Sequence, residues 1–135
     1  LADENSTLAL AGLLRDAAEA YVVDVPRPLK RFLPGYKEIE REVARAIEKR
    51  FGLPVDIFEH GAIKHFDEVL LATEARDIMG GQSAGKWTLR APPLTERAEP
   101  LDSAAAEAAF LSRFHALNER LRLINTPHTS PHVPR

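Results

Sequence analysis

The sequence contains no cysteine, and this absence excludes several kinds of site at once. Disulfide bonds, thiolate nucleophiles and cysteine-ligated zinc or iron–sulfur clusters all require that side chain. Any bound metal would therefore need histidine, aspartate or glutamate ligands. The sequence also lacks a hydrophobic run near the roughly 18 residues of a membrane-spanning helix, and its first residues do not resemble a secretory signal. We therefore expect a cytoplasmic protein that does not enter a membrane.

Neither sign of charge is in clear excess. Eighteen basic and 20 acidic residues give a formal net charge of -2, and the two signs are interspersed. Nucleic-acid polymers and anionic membranes attract strongly basic surfaces, so neither is expected as a partner. The length of 135 residues and the 44% hydrophobic content are typical of one globular domain. A small phosphorylated molecule or a protein is the expected partner, and the sequence leaves a homo-oligomer open.

Hydrophobic residues spaced three and four apart predict an all-α fold. The predicted helices cover residues 6–22, 29–33, 36–51, 62–79 and 104–123. Strand-like alternation is absent, so we expect a compact bundle of about four to five helices that forms a single domain over residues 1–125.

Particular residues are expected to begin, fill or connect these helices. Ser6 is the predicted N-cap of the first helix, and Tyr21 is assigned to its buried face. Asp102 or Ser103 is expected to cap the last helix. The proline-containing residues 82–101 predict a long irregular connection that Trp87 holds against the core, and residues 126–135 predict a disordered tail.

Acidic residues stand at helical spacing within apolar sequence. Asp16 and Glu19 are three residues apart, and Asp67 and Glu74 are seven apart, so each pair shares one helix face. Taken alone, such acids are most often solvated or ion-paired. Asp24 alone is typical of a turn.

The residues around these acids form a more specific pattern. Leu-Leu-Arg-Asp-Ala-Ala-Glu occupies positions 13–19, Asp-Val-Pro-Arg-Pro follows at 24–28, and Ile-Lys-His-Phe-Asp occupies 63–67. This pattern resembles the HD-domain metal-dependent phosphohydrolases, in particular the branch of bacterial 5'-deoxynucleotidases, over roughly residues 8–79. The resemblance implies an HD-like helical fold and hydrolysis of a phosphate ester such as a nucleotide monophosphate.

The resemblance also implies residue roles. Asp16 and Asp67 would be ligands of a divalent metal, namely Mn, Co, Fe, Zn or Mg. Glu19 would orient the attacking water or carry its proton, and Asp24 would hold that water from the opposite side. Such chemistry is plausible because a metal with open positions neutralises a phosphate oxygen and lowers the pKa of a bound water.

Two histidines of the family pattern are missing. Arg15 stands where the family has the histidine of its His-Asp pair, and a guanidinium has no lone pair for a metal. Residues 1–14 contain no histidine, so the helix bearing the family's other histidine is expected before Leu1. Arginine suits phosphate, so Arg15 is a candidate for binding the substrate. His60 and His65 are expected to be satisfied or solvated rather than ligands.

Two alternatives to hydrolysis stay open. In the first, the chain is a catalytically inactive HD-fold domain in which Arg15 neutralises Asp16 and Asp67, and it binds a nucleotide or a protein partner. In the second, it is a plain helical interaction domain whose acids are surface charges. Residues 72–79 also resemble the same branch, and for them we expect only structural pairing of Glu74 with Arg76.

Overall fold

The computed structural model describes residues 2–79 and 89–125, and within them the regular structure is entirely helical. The predicted all-α fold class is therefore confirmed. Within the described residues, four α-helices exceed ten residues and two are single turns, and one 3₁₀ helix lies between the second and third of the long helices. In chain order they are α1 (Ala2–Leu14), α2 (Glu19–Val22), α3 (Arg27–Lys30), α4 (Tyr36–Phe51), the 3₁₀ helix (Ile57–Glu59), α5 (Gly61–Asp77) and α6 (Ser103–Asn125).

The ends of the later helices follow from local capping. Helix α4 ends before Gly52, whose positive φ of 65° is favoured by glycine and whose N–H donates to the Glu48 and Lys49 carbonyls. Helix α5 begins after His60, because its Nδ1 accepts the Ala62 N–H at 3.2 Å. Asp102 accepts the Ala105 N–H at 2.8 Å, so its predicted role as the cap of α6 is confirmed.

The prediction of one continuous helix over residues 6–22 is wrong. Helix α1 begins before Ser6, which is buried inside it rather than capping it. Helix α1 ends at Leu14, and three-residue turns follow, in which the Glu19 N–H donates to the Asp16 carbonyl. These turns are tighter than an α-helix, so they rotate the following residues away from the buried face of α1. Tyr21 is consequently 76% exposed, and its assignment to the core is wrong.

The core forms where α1 packs against α6, α5 and the 3₁₀ helix. Leu10 and Ala11 of α1 are fully buried there, and Leu117 of α6 lies in the same cluster. Phe51 at the end of α4 meets Phe114 of α6 edge to face, with ring centroids 5.4 Å apart. The core therefore lies at one side of α4 and leaves the opposite side available for a cleft.

Helix α5 buries only part of the stripe that its apolar spacing predicts. Of the residues at three- and four-residue spacing, Ile63 and Thr73 are buried, but Phe66 and Leu70 are 59% and 50% exposed, so the buried face is rotated relative to that stripe. The buried face consists mainly of small or β-branched residues, which permit close packing: Ile63, Val69, Ala72, Thr73 and Ala75. This rotation brings Asp67 to the edge of the buried face, where it is half-exposed.

Residues 89–102 have no regular secondary structure, as predicted, but α5 holds part of them. Arg76 donates Nη1 to the Leu94 carbonyl at 2.6 Å and Nη2 to the Glu96 carbonyl at 2.8 Å. It also forms a bidentate pair with the Asp77 carboxylate. The expected pairing of Glu74 with Arg76 is therefore wrong, because the neighbouring Asp77 presents both oxygens to the guanidinium.

The junction after α2 has an unusual backbone. Val23 has φ 63° and ψ 142°, a region that a β-branched residue rarely adopts. Its carbonyl accepts the hydroxyl of Tyr36, the first residue of α4. This hydrogen bond ties the α2–α3 junction to the start of α4.

Three expectations are not resolved by the fold. Trp87 and residues 126–135 lie outside the described residues, so their predicted roles stay predictions, as does the single domain over residues 1–125. Of the helices in the described ranges, none has the length and apolar character needed to cross a membrane.

Candidate functional site

A cleft of about 1460 Å³ is lined by parts of several elements. These are the Arg15–Glu19 turn, the end of α3, one face of α4, the 3₁₀ helix, α5 and residues 89–90. Three of the acids predicted to share a site, namely Asp16, Glu19 and Asp67, line this cleft. Asp24 is not among its lining residues, although it lies close enough for its charge to act on Glu19.

Arg15 joins the two aspartates that the resemblance assigns to a metal. Its Nε lies 2.8 Å from Asp16 Oδ1, and its Nη1 contacts Asp67 Oδ1. Asp16 follows Arg15 directly, whereas Asp67 comes from the middle of α5. The turn after α1 therefore places a guanidinium between carboxylates from two separate elements. Two negative charges and one positive charge leave this cluster with a net negative charge.

The donor set does not fit a divalent metal. The Arg15 guanidinium occupies the space between the two carboxylates and repels a second cation there. In the two described ranges, no group of three histidine, aspartate or glutamate side chains could hold a metal ion. His60 has its Nδ1 engaged at the start of α5.

Glu19 lies in an unfavourable electrostatic position for a carboxylate. Partial burial, followed by the negative charges of Asp16 and Asp24, raises its pKa above the ordinary 4.5. Lys30 and Arg15 oppose this shift but do not cancel it. Glu19 therefore holds a proton more readily than an isolated glutamate, which is a property of general acids and bases.

One face of α4 carries cations that no carboxylate in residues 2–79 and 89–125 neutralises. Lys37 and Arg41 are one helical turn apart and line the cleft, and neither forms an ion pair with any described residue. By contrast, Lys30 binds Glu40 at 2.8 Å, and Arg45 lies 3.9 Å from Asp56. The cleft thus has an acidic wall around Arg15 and a cationic stretch at the start of α4.

Glu48 lines the cleft but was not among the residues predicted for the site. This residue lies on the same α4 face as Lys37 and Arg41, lines the cleft, and is only 3% exposed. Its Oε2 accepts no hydrogen bond within the described part of the chain. Glu48 lies seven residues beyond Arg41 and eleven beyond Lys37, which is helical spacing, but this spacing alone does not predict that Glu48 is buried.

Comparison with known proteins gives one informative likeness. The chain is 39% identical to the uncharacterized protein YfdR of Escherichia coli strain K12 over 114 residues. The match covers 82% of this chain and 62% of that protein, so the chain spans less than two thirds of the relative's length. No protein-family model matches the chain. No solved structure matches it significantly.

Proposed function

We propose that this chain is an HD-domain-like module that binds a nucleotide monophosphate, or a similar phosphorylated small molecule, without a divalent metal. The observation that carries this proposal is the contact of Arg15 with both Asp16 and Asp67. Arg15 supplies the positive charge that the two carboxylates require, but unlike a metal ion it has no open coordination position at which a water is activated. Ligand binding can then persist where hydrolysis is lost.

The phosphate is better assigned to α4 than to Arg15. Arg15 already uses Nε and Nη1 on carboxylates, and the surrounding net charge is negative. Lys37 and Arg41 have no such partners among the described residues, and we assign their charges to the anion. Lys37 also lies in the first turn of α4, where the helix dipole favours negative charge. A role for Arg15 in phosphate binding remains a secondary part of the proposal, through its Nη2.

Metal-dependent hydrolysis of nucleotide monophosphates is a second candidate. It is favoured by the convergence of Asp16, Glu19 and Asp67 on one cleft and by the raised pKa of Glu19. For this activity a divalent ion would have to displace Arg15 from both aspartates. The cytoplasm, where nucleotides are abundant, is the compartment in which we place either function.

Calorimetric titration with nucleoside monophosphates tests the proposal directly. In buffer with a chelator, we expect saturable binding by the chain, and roughly tenfold or greater weakening by the pair Lys37→Glu and Arg41→Glu, because two charge-assisted contacts become repulsive. The matched control is Lys49→Glu with Arg50→Glu, which makes the same charge change on the same helix at residues that do not line the cleft.

A parallel phosphate-release assay distinguishes the two candidates. Binding in chelator with no phosphate release on addition of Mn²⁺ supports the metal-independent module. Binding that appears only with Mn²⁺, accompanied by phosphate release, would contradict it and favour the hydrolase. Equal weakening by the cleft pair and the control pair would show that α4 does not hold the phosphate.

A further inference from the structure

Glu48 is a carboxylate in a position that the fold alone does not explain. Only 3% of Glu48 is exposed, and the residue follows the core residue Ile47. Its Oε2 has no hydrogen-bond partner within residues 2–79 and 89–125. Buried polar atoms in native proteins nearly always have a partner, and a buried unpaired carboxylate is destabilising. Glu48 lines the cleft, so a rotation of its side chain toward the cleft would let this unpartnered acceptor meet a ligand that carries hydrogen-bond donors.

The position of Glu48 relative to the α4 cations indicates the shape of that ligand. Lys37, Arg41 and Glu48 are separated by four and seven residues, so they lie on one face of α4 and all line the cleft. Seven residues correspond to two helical turns, or about 10 Å along the axis. A ligand lying along α4 would therefore have an anionic group at one end and hydrogen-bond donors at the other.

A nucleoside monophosphate meets both requirements only if its base presents N–H donors to the carboxylate. Guanine offers two adjacent donors, its N1–H and its exocyclic amino group. Hypoxanthine keeps N1–H but lacks the amino group. Adenine places an unprotonated ring nitrogen beside its amino group, and that nitrogen would face the carboxylate unfavourably. The cleft lining also includes apolar residues that suit a flat base: Ala44, one helical turn from Glu48, and Phe58 and Ile63.

We infer that Glu48 is a specificity-determining residue that accepts the N–H donors of a guanine-type base while Lys37 and Arg41 hold the phosphate of the same nucleotide. This inference rests on the proposed function and deepens it by naming the base. Binding energy comes from replacing an unsatisfied buried acceptor with charge-assisted hydrogen bonds. The same arrangement disfavours bases without paired donors, because Glu48 then stays unpaired beside them.

The experiment compares guanosine, inosine and adenosine monophosphates on the whole chain in chelator-containing buffer. We expect the chain to bind guanosine monophosphate roughly tenfold more tightly than the other two. Glu48→Gln preserves the volume of the side chain but supplies one acceptor and one donor, so it should reduce this preference to within about twofold. Glu42→Gln is the matched control, because it makes the same change at an exposed position of α4 that does not line the cleft.

Thermal melting of the ligand-free variants provides the second measurement. Because it removes a buried unpaired charge, Glu48→Gln should melt at or above the temperature of the unmodified chain, which also verifies that it folds. The inference is overturned if the unmodified chain shows no preference for guanosine monophosphate. It is also overturned if Glu48→Gln keeps the same preference. In those cases, binding of inosine monophosphate still supports the proposed function. If none of the three nucleotides binds, both the inference and the proposed function fail.

Discussion

The chain contains two Arg-Asp pairs of neighbours, and their surroundings differ sharply. Arg76 and Asp77 satisfy each other, the Leu94 and Glu96 carbonyls, and the Ala98 N–H, which donates to Asp77 at 2.8 Å. Arg15 and Asp16 instead share their charges with Asp67, and their cluster opens into the cleft. The Arg76–Asp77 pair binds backbone groups, whereas the Arg15–Asp16 pair binds the charged side chain of Asp67.

This difference separates a structural pair from a candidate site. Asp77 and Arg76 neutralise each other, and the Asp77 side chain is 6% exposed. Its pKa is lowered to about 2, first by Arg76 and then by the Ala98 N–H. Around Asp16 negative charge is in excess, and the pKa of nearby Glu19 is raised. A satisfied cluster stabilises the fold, whereas an unsatisfied one remains available to a ligand.

The largest expected effect is on thermal stability, and it should differ between the two arginines. Arg76→Ala removes contacts to two carbonyls and to Asp77, so we expect the melting temperature to fall by roughly 5 to 10 °C. Arg15→Ala should lower it by less than roughly 3 °C, because Asp16 and Asp67 are half-exposed and water can solvate them. Circular dichroism melts of both variants make the comparison. Equal losses would mean that Arg15 also has a structural role.

An intermediate effect is expected from giving the cleft cluster a metal ligand. Arg15→His removes the opposing charge and adds a neutral nitrogen donor beside Asp16 and Asp67. Mn²⁺ or Co²⁺ at ten times the dissociation constant should then stabilise the variant by about 1.4 kcal/mol, and the unmodified chain should gain almost nothing. Melting with and without metal measures this difference.

Arg15→Gln is the control for that experiment, since it removes the same charge without adding an imidazole. Stabilisation of Arg15→His but not of Arg15→Gln would support a ligand position at residue 15. If neither variant responds to metal, residue 15 does not correspond to the histidine position of the HD family.

The smallest expected effects are two opposite dependences of stability on pH. Asp77 has a folded pKa below its ordinary 3.8, so its stabilisation is present above that value and is lost as the pH falls toward about 2. Glu19 has a raised folded pKa, so the folded state binds its proton more tightly and stability declines as the pH rises above the ordinary 4.5.

Denaturant unfolding at several pH values measures both dependences. Asp77→Asn should flatten the acidic limb of the stability curve, whereas Glu19→Gln should remove the decline at higher pH. A loss of the acidic limb in Glu19→Gln would contradict the assignment of the two carboxylates. So would an acidic limb that Asp77→Asn leaves unchanged.

Local sequence rules predicted much of the helical framework. The bounds of α4 agree at residues 36 and 51, because Gly35 and Gly52 both adopt positive φ and end the helix at either side. Asp102 was found because its carboxylate accepts a backbone N–H within three residues. These helix ends depend on residues that are adjacent along the chain, so they can be predicted from the sequence.

Features that depend on distant neighbours were harder to predict. Helix α5 has apolar residues on two faces, and only its packing partners decide that Ala72 and Ala75 are buried while Phe66 is exposed. The turn after Leu14 depends on tertiary contacts that hydrophobic spacing does not report. The resemblance brought Asp16 and Asp67 together, but Glu48 was missed because nothing in its flanking residues reveals that α4 buries it.

The backbone at Val23 is strained at the α2–α3 junction. A β-branched residue at φ 63° costs on the order of 1–3 kcal/mol, and the Tyr36 hydroxyl helps to retain it by binding the Val23 carbonyl. Opening of that hydrogen bond would let Val23 return to an ordinary conformation. The backbone strain at Val23 is thus coupled to the attachment of the α2–α3 junction to the start of α4.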